Sequence, residues 1–166
     1  DAATDVADAS EAGMRNRSAD GIGWTDVHVI KPPSTDYAAI GLRLTDAAAA
    51  LAAIMPHVRK FNSTASAGFD PGARDAWGTY EEDAHCYGFD ESCFIKLDTE
   101  GDLVKAIWFE CSTENMEHVA ALRKALAAID RLVPSAIADY WNDMSGAIHD
   151  SVFLDRYFQT LIQLED

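Results

Sequence analysis

The sequence predicts an α+β fold, with a largely antiparallel sheet and about three helices packed on it. Three observations carry this. Two apolar-rich runs flank Thr99-Glu100-Gly101-Asp102, where Gly101 can take the positive φ that a hairpin turn requires. Three other segments repeat large apolar side chains at helical spacing. The helical segments are interspersed among hairpin-linked strands, an order that favours an antiparallel sheet over a parallel one.

The elements follow in chain order. At 166 residues the natural expectation is one domain, long enough to bury a core without disulfide staples. Residues 1–23 have no aromatic and few large apolar side chains, and read as an acidic N-terminal tail with room for a short helix around Thr4 to Ala12. Residues 24–166 read as a single α+β domain. "WTDVHVI" alternates Trp24, Asp26, His28 and Ile30 against Thr25, Val27 and Val29, which predicts a strand ended by Pro32-Pro33. "DYAAIGLRL" predicts a second strand, through Leu44.

"TDAAAALAAIMPHVRKF" predicts the first helix. Thr45 is a suitable N-cap, Asp46 complements the helix dipole, and Leu51, Ile54, Val58 and Phe61 form one stripe. Pro56 is expected to kink it, because proline removes a backbone donor. Residues 62–83 show no period. The hairpin of "SCFIKLDTEGDLVKAIWFECS" comes next, and then "ENMEHVAALRKALAAIDRL", a helix burying Val119, Leu122, Leu126, Ile129 and Val133 and ended by Pro134. "AIADYW" predicts a short strand with Ile137, Asp139 and Trp141 on one side, followed by a turn over Asn142 to Gly146. Asp150 or Ser151 caps a last helix that points Phe153 or Leu154, Tyr157, Leu161 and Leu164 inward.

Charge narrows the partners. Twenty-eight acids against thirteen bases leave −15. Such a surface repels nucleic-acid phosphates and anionic lipid, and attracts a basic partner in a salt-dependent way. No apolar run approaches the roughly 20 residues of a membrane span. Three cysteines leave at least one without a partner in the chain, which favours a reducing, cytoplasmic setting. The first residue is Asp1, so a periplasmic or secreted location is the alternative, should a signal peptide precede it.

"AHCYGFDESCF" concentrates the candidate chemistry in His85, Cys86 and Cys93, with Cys111 and His118 further on. Structural zinc usually takes ligands from short knuckles such as Cys-x2-4-Cys, and the gaps here are far longer, so no metal and no cofactor is expected. If Asp90-Glu91 turned a two-residue hairpin, Gly88 would face Cys93 and Cys86 would face Ile95. The two cysteines would then be diagonal, about 7–8 Å apart and beyond disulfide reach. His85 and Cys86 are neighbours on a strand and point to opposite faces, so they cannot act as base and nucleophile. The expectation is three reduced thiols serving as small hydrophobes. Phosphate-loop, zinc-protease and serine-hydrolase motifs are absent, so a non-enzymatic role is expected.

The acidic segment from Asp70 to Glu91 carries seven acids against one base, Arg74, with Trp77 and Tyr80 within it. Aromatic anchors among charges suit a protein-binding patch. Trp77 and Tyr80 are the candidate anchors, and Glu81, Glu82, Asp83, Asp90 and Glu91 the candidate carboxylates. The competing reading is a solvated loop whose rings pack back onto the sheet. The segment "ADYWNDMSG" is the second candidate surface.

The hairpin "CFIKLDTEGDLVKAIWFECS", the helix after it, "ADYW" and "FLDRYFQTL" resemble, in style and order over roughly Tyr37 to Leu161, small bacterial immunity proteins of toxin–immunity systems. The resemblance implies a small, acidic, non-enzymatic inhibitor that binds one cognate toxin. It carries over no catalytic residue. If the toxin is a nuclease with a basic groove, acidic side chains can imitate phosphate there. A secreted or periplasmic binding or effector domain is the alternative, and a small-molecule enzyme comes third.

Overall fold

The computed structural model describes residues 36–62, 80–90, 92–139 and 142–163, with only the backbone of 59–62, 80–83 and 163. The expected tail over 1–23 with its short helix, the strand from Trp24 to Ile30, Trp141 and Leu164 lie outside the described residues. Within them the architecture is α+β. Four antiparallel strands form one sheet, in the order β1-β2-β3-β4: β1 (His57–Asn62), β2 (Tyr80–Asp90), β3 (Cys93–Glu100) and β4 (Leu103–Cys111). Two more, β5 (Ala136–Asp139) and β6 (Met144–Ala147), form a separate antiparallel pair. The helices are α1 (Tyr37–Ile40), α2 (Leu44–Ala52), α3 (Met116–Leu132) and α4 (Ser151–Gln163). Among the described residues no helix is long and apolar enough to cross a membrane.

The expected second strand is instead a helical turn. Asp36 accepts a hydrogen bond from the Ala39 amide at 2.7 Å, and Gly41 ends the turn at φ +83, donating to Tyr37 and Ala38 carbonyls. Only Arg43 keeps a strand-like contact, a bridge to Leu103 at the start of β4. The capping aspartate and the left-handed glycine close a turn around two alanines more cheaply than an extended segment could pair.

The first helix also differs. It begins at Leu44, with Arg43 rather than Thr45 at the N-cap position, and its start is tied by the Leu44 amide donating to Asp102 O at 2.9 Å. It stops at Ala52, and His57–Asn62 is strand β1. Pro56 therefore ends the helical path rather than kinking it. Proline disfavours helical backbone at the preceding residue, and the β-branched and aromatic residues beyond it take the extended form that pairs with β2. Leu51 is buried as expected, but Val58 packs on the opposite side of the sheet.

The central hairpin is as expected, with Gly101 at φ +60 in the turn between β3 and β4. The β2–β3 register is not. A bulge between Gly88 and Asp90 pairs Asp90 with Cys93, Gly88 with Phe94 and Cys86 with Lys96. The extra residue shifts the pairing by one from a two-residue hairpin and exchanges the faces. Cys86 therefore lies in a small cluster with Ala84 and Phe94, while Cys93 lies in the main core on the other face. Gly88 is required at the bulge: a Cβ there would stand 2.5 Å from Phe94 Cβ and 2.6 Å from the Cys93 carbonyl. Gly88→Ala should cost about 1–3 kcal/mol in a urea titration, because backbone cannot retreat as a side chain can. An unchanged midpoint would show that β2 and β3 do not approach so closely.

The main core sits between one face of the sheet and helices α2, α3 and α4. Helix α3 is capped by Asn115, whose side chain accepts from the Glu117 amide at 2.9 Å. It buries Val119, Leu122, Leu126 and Ile129, as its spacing predicts, and Val133 beyond it. Asp150 is the cap of α4, accepting from the Val152 amide at 2.9 Å, and both Phe153 and Leu154 point inward with Tyr157. The turn expected over Asn142 to Gly146 is shorter. Asp143, at φ +53, makes it, and Gly146 belongs to β6, where its missing Cβ leaves room for the Phe153 ring.

Candidate functional site

The acidic candidates divide along one strand. Tyr80, Glu81, Glu82 and Asp83 are the first four residues of β2, with Tyr80, Glu81 and Glu82 opposite Asn62, Phe61 and Lys60 of β1. Trp77 and Glu91 lie outside the described residues. Asp90 ends the same strand, eight residues beyond Glu82. In extended backbone that separation is roughly 26 Å. Asp90 is also engaged within the chain. One carboxylate oxygen accepts from Ser92 N at 2.9 Å and Ser92 Oγ at 3.0 Å, and the other lies 3.4 Å from His118 Nδ1. The Phe89 ring stacks on His118, with centroids 4.2 Å apart. Phe89 and Asp90 thus place the bulged end of the sheet against the first turn of α3.

The cysteines and histidines reach a different arrangement from the diagonal one expected. Cys93 and Cys111 face each other across β3 and β4, and the Cys93 thiol donates to the His118 carbonyl at 3.6 Å. Cys86 is on the other face of the sheet. All three carry thiols. Among the described residues no group of three or more His, Cys, Asp or Glu side chains could hold a metal ion. Burial pushes the Cys93 thiol up to about 12, with smaller contributions from Cys111 and Asp90.

Sequence reasoning missed a slot of about 450 Å³ between β4 and β5. Its walls are five consecutive residues of β4, Ile107 to Cys111, and all four of β5, Ala136 to Asp139. Consecutive residues of a strand alternate in facing, so a wall made of all of them is a strand edge. The floor is apolar, from Leu126 and Ile129 of α3 and Ile148 after β6. Two carboxylates, Glu110 and Asp139, line it with the rings of Tyr37, Trp108, Phe109 and Tyr157, and no Lys, Arg or His is among its described lining residues. "ADYWNDMSG" contributes Ala138, Asp139 and Asn142. No sequence period marks the slot, because two edges separated by a whole helix create it.

The polar frame around β5 is tightly bonded. Asp139 accepts from Asn142 N at 3.1 Å, Asn142 Nδ2 at 2.9 Å and Tyr157 Oη at 2.9 Å. Tyr37 Oη donates to Ser135 Oγ at 2.9 Å, which donates to Val133 O at 2.6 Å. Burial raises the Tyr157 phenol above its ordinary value, reinforced by its hydrogen bond to Asp139, and burial likewise raises Tyr37 and Tyr87. The slot therefore presents neutral phenols, carboxylates and strand edges.

These shifts share one sign. Each neutral acid is favoured by the fold, so its stabilisation is complete below the unfolded value and is lost as pH rises through the folded one. For Cys93 the window runs from 9.0 to about 12. Unfolding free energy should therefore fall steadily above about pH 9. Urea titrations near pH 8 and pH 10.5 check this, and a flat response would show that these groups are solvated.

No protein-family model, curated protein or solved structure matches this chain.

Proposed function

We propose that the chain is a non-enzymatic immunity-type protein that binds and neutralises a cognate protein toxin through an acidic surface. One observation carries the reading: in a chain of net charge −15, β2 opens with Tyr80 followed by three consecutive acids, Glu81, Glu82 and Asp83. Strand β2 lies between β1 and β3, and Tyr80, Glu81 and Glu82 pair with Asn62, Phe61 and Lys60 of β1, so their backbone belongs to the sheet. Clustered carboxylates steer a basic partner and raise its association rate. A toxin with a basic substrate groove, such as a nuclease, is the partner whose charge fits best.

The test is affinity capture from the native host, followed by kinetics with the captured partner. Glu81→Lys combined with Glu82→Lys should slow association and flatten its salt dependence, with thermal melting unchanged. Trp77→Ala should raise the dissociation rate, by about 2 kcal/mol or more where it is an anchor. If both variants melt normally and bind like the parent, the acidic segment is not the interface. A captured partner with an acidic surface would overturn the reading.

A further inference from the structure

We propose that the slot between β4 and β5 receives one extended strand of the protein partner, hydrogen-bonded along both edges, with a basic side chain set between Glu110 and Asp139. The inference rests on the reading of the chain as an acidic protein binder and specifies how that partner is held.

The hydrogen-bond pattern points to a strand. The Ser112 amide donates to Ser92 O at 2.8 Å, which makes residues 92 and 112 a bonded pair. Bonded and non-bonded pairs alternate along an antiparallel ladder. The pairs Leu97–Ile107 and Ile95–Phe109 are then non-bonded, so the N–H and C=O of Ile107 and Phe109 turn away from β3. In the same way the Ile148 amide donates to Ser135 O at 3.0 Å, which turns the N–H and C=O of Ala136 and Ala138 away from β6. Among the described residues β4 ends its sheet, bridged on that edge at Leu103 by Arg43, and β5 pairs with β6 alone. All four residues line the slot. Two rows of donors and acceptors at alternate positions thus border one cavity, the arrangement that strand addition uses. The four residues of β5 set the length of the inserted segment at about 13 Å.

The side chains supply the selectivity. Alternate residues of an inserted strand would meet the apolar floor. Residues of the other facing would meet a rim whose described charged residues, Glu110 and Asp139, are both acidic. An ammonium or guanidinium is favoured there by the carboxylates of Glu110 and Asp139. An acidic segment would be repelled both by the rim and by the chain's net charge of −15.

The probe is the blocked peptide acetyl-Val-Arg-Val-Arg-Val-amide, added to the full chain at up to about 1 mM. Amide exchange at Ile107, Phe109, Ala136 and Ala138 is read by NMR. These amides should exchange fast alone and slow at least about tenfold with peptide, the worth of one hydrogen bond. The same peptide N-methylated at alternate amides, the Glu-for-Arg peptide and free arginine amide should each give no protection. Ala138→Pro removes an N–H that faces the slot without touching a bonded pair of β5–β6, and should weaken the peptide about tenfold. Glu110→Gln should weaken it too, and stands in if the proline variant fails to fold. Four results overturn the inference: amides already protected without peptide, which would mean that the chain itself closes the slot; no protection with peptide; binding of arginine amide as tight as the peptide's; or Ala138→Pro and Glu110→Gln variants that fold and bind like the parent. With the captured partner the two readings separate. If the Glu81→Lys, Glu82→Lys pair weakens binding and folded Ala138→Pro does not, the slot falls and the acidic reading stands. If neither does, both fall.

Discussion

Phe158→Ala should lower the unfolding free energy by about 3–5 kcal/mol, enough to remove a large part of a small domain's stability. Phe158 is 1% exposed and belongs to the main core. It sits on α4, with the Tyr157 ring edge-on at 5.6 Å and the Arg123 guanidinium over its face at 5.3 Å. Arg123 of α3, over the ring, also pairs with Asp155 of α4. Truncation removes the transfer free energy of the ring and leaves a cavity that two helices joined to other elements cannot close. The ion pair is not a substitute: its partners are 32% and 60% exposed, and such pairs contribute at most about 1 kcal/mol. Arg123→Ala should therefore lose far less than Phe158→Ala when both variants are titrated with urea. Equal losses would show that α4 is held by charge rather than by packing.

Leu126→Ala should cost about 2–5 kcal/mol. Leu126 is 3% exposed at the centre of the α3 stripe, where it supports the sheet and forms part of the slot floor. Lys124, two residues earlier, is exposed. Its replacement by alanine should stay within about 0.5 kcal/mol. The contrast is a test of which way the helix faces, since the two residues differ by about 200° around the axis. The two variants giving one midpoint shift would mean the buried face is misassigned. A Leu126→Ala variant that folds should also bind the strand peptide more weakly, because its floor is lower.

What was legible in the residues had a local cause. The stripe of α3 was readable because each of Val119, Leu122, Leu126 and Ile129 repeats the helical period. Gly101 marked its own turn, and Asp150 its own cap. Two misreadings had competing local signals. "DYAAIGLRL" alternates well enough for a strand, yet Asp36 and Gly41 close a helical turn around its alanines. Val58 and Phe61 continue the helical spacing of Leu51 and Ile54, yet Pro56 stops the helix and pairing with β2 makes the rest a strand.

The residues by themselves determined the α+β class, the α3 and α4 faces, the β3–β4 hairpin and the charge of −15, because each depends on neighbours within a few positions or on composition alone. Only the tertiary structure decided three other things. One is the bulge at Gly88–Asp90, which puts Cys86 and Cys93 on opposite faces of the sheet. Another is the meeting of Cys93 with Cys111 across two strands. The last is the slot between β4 and β5. Each is a relation between segments far apart in the chain. Register and edge exposure follow from which strands pair, and no single segment carries that information in its own period.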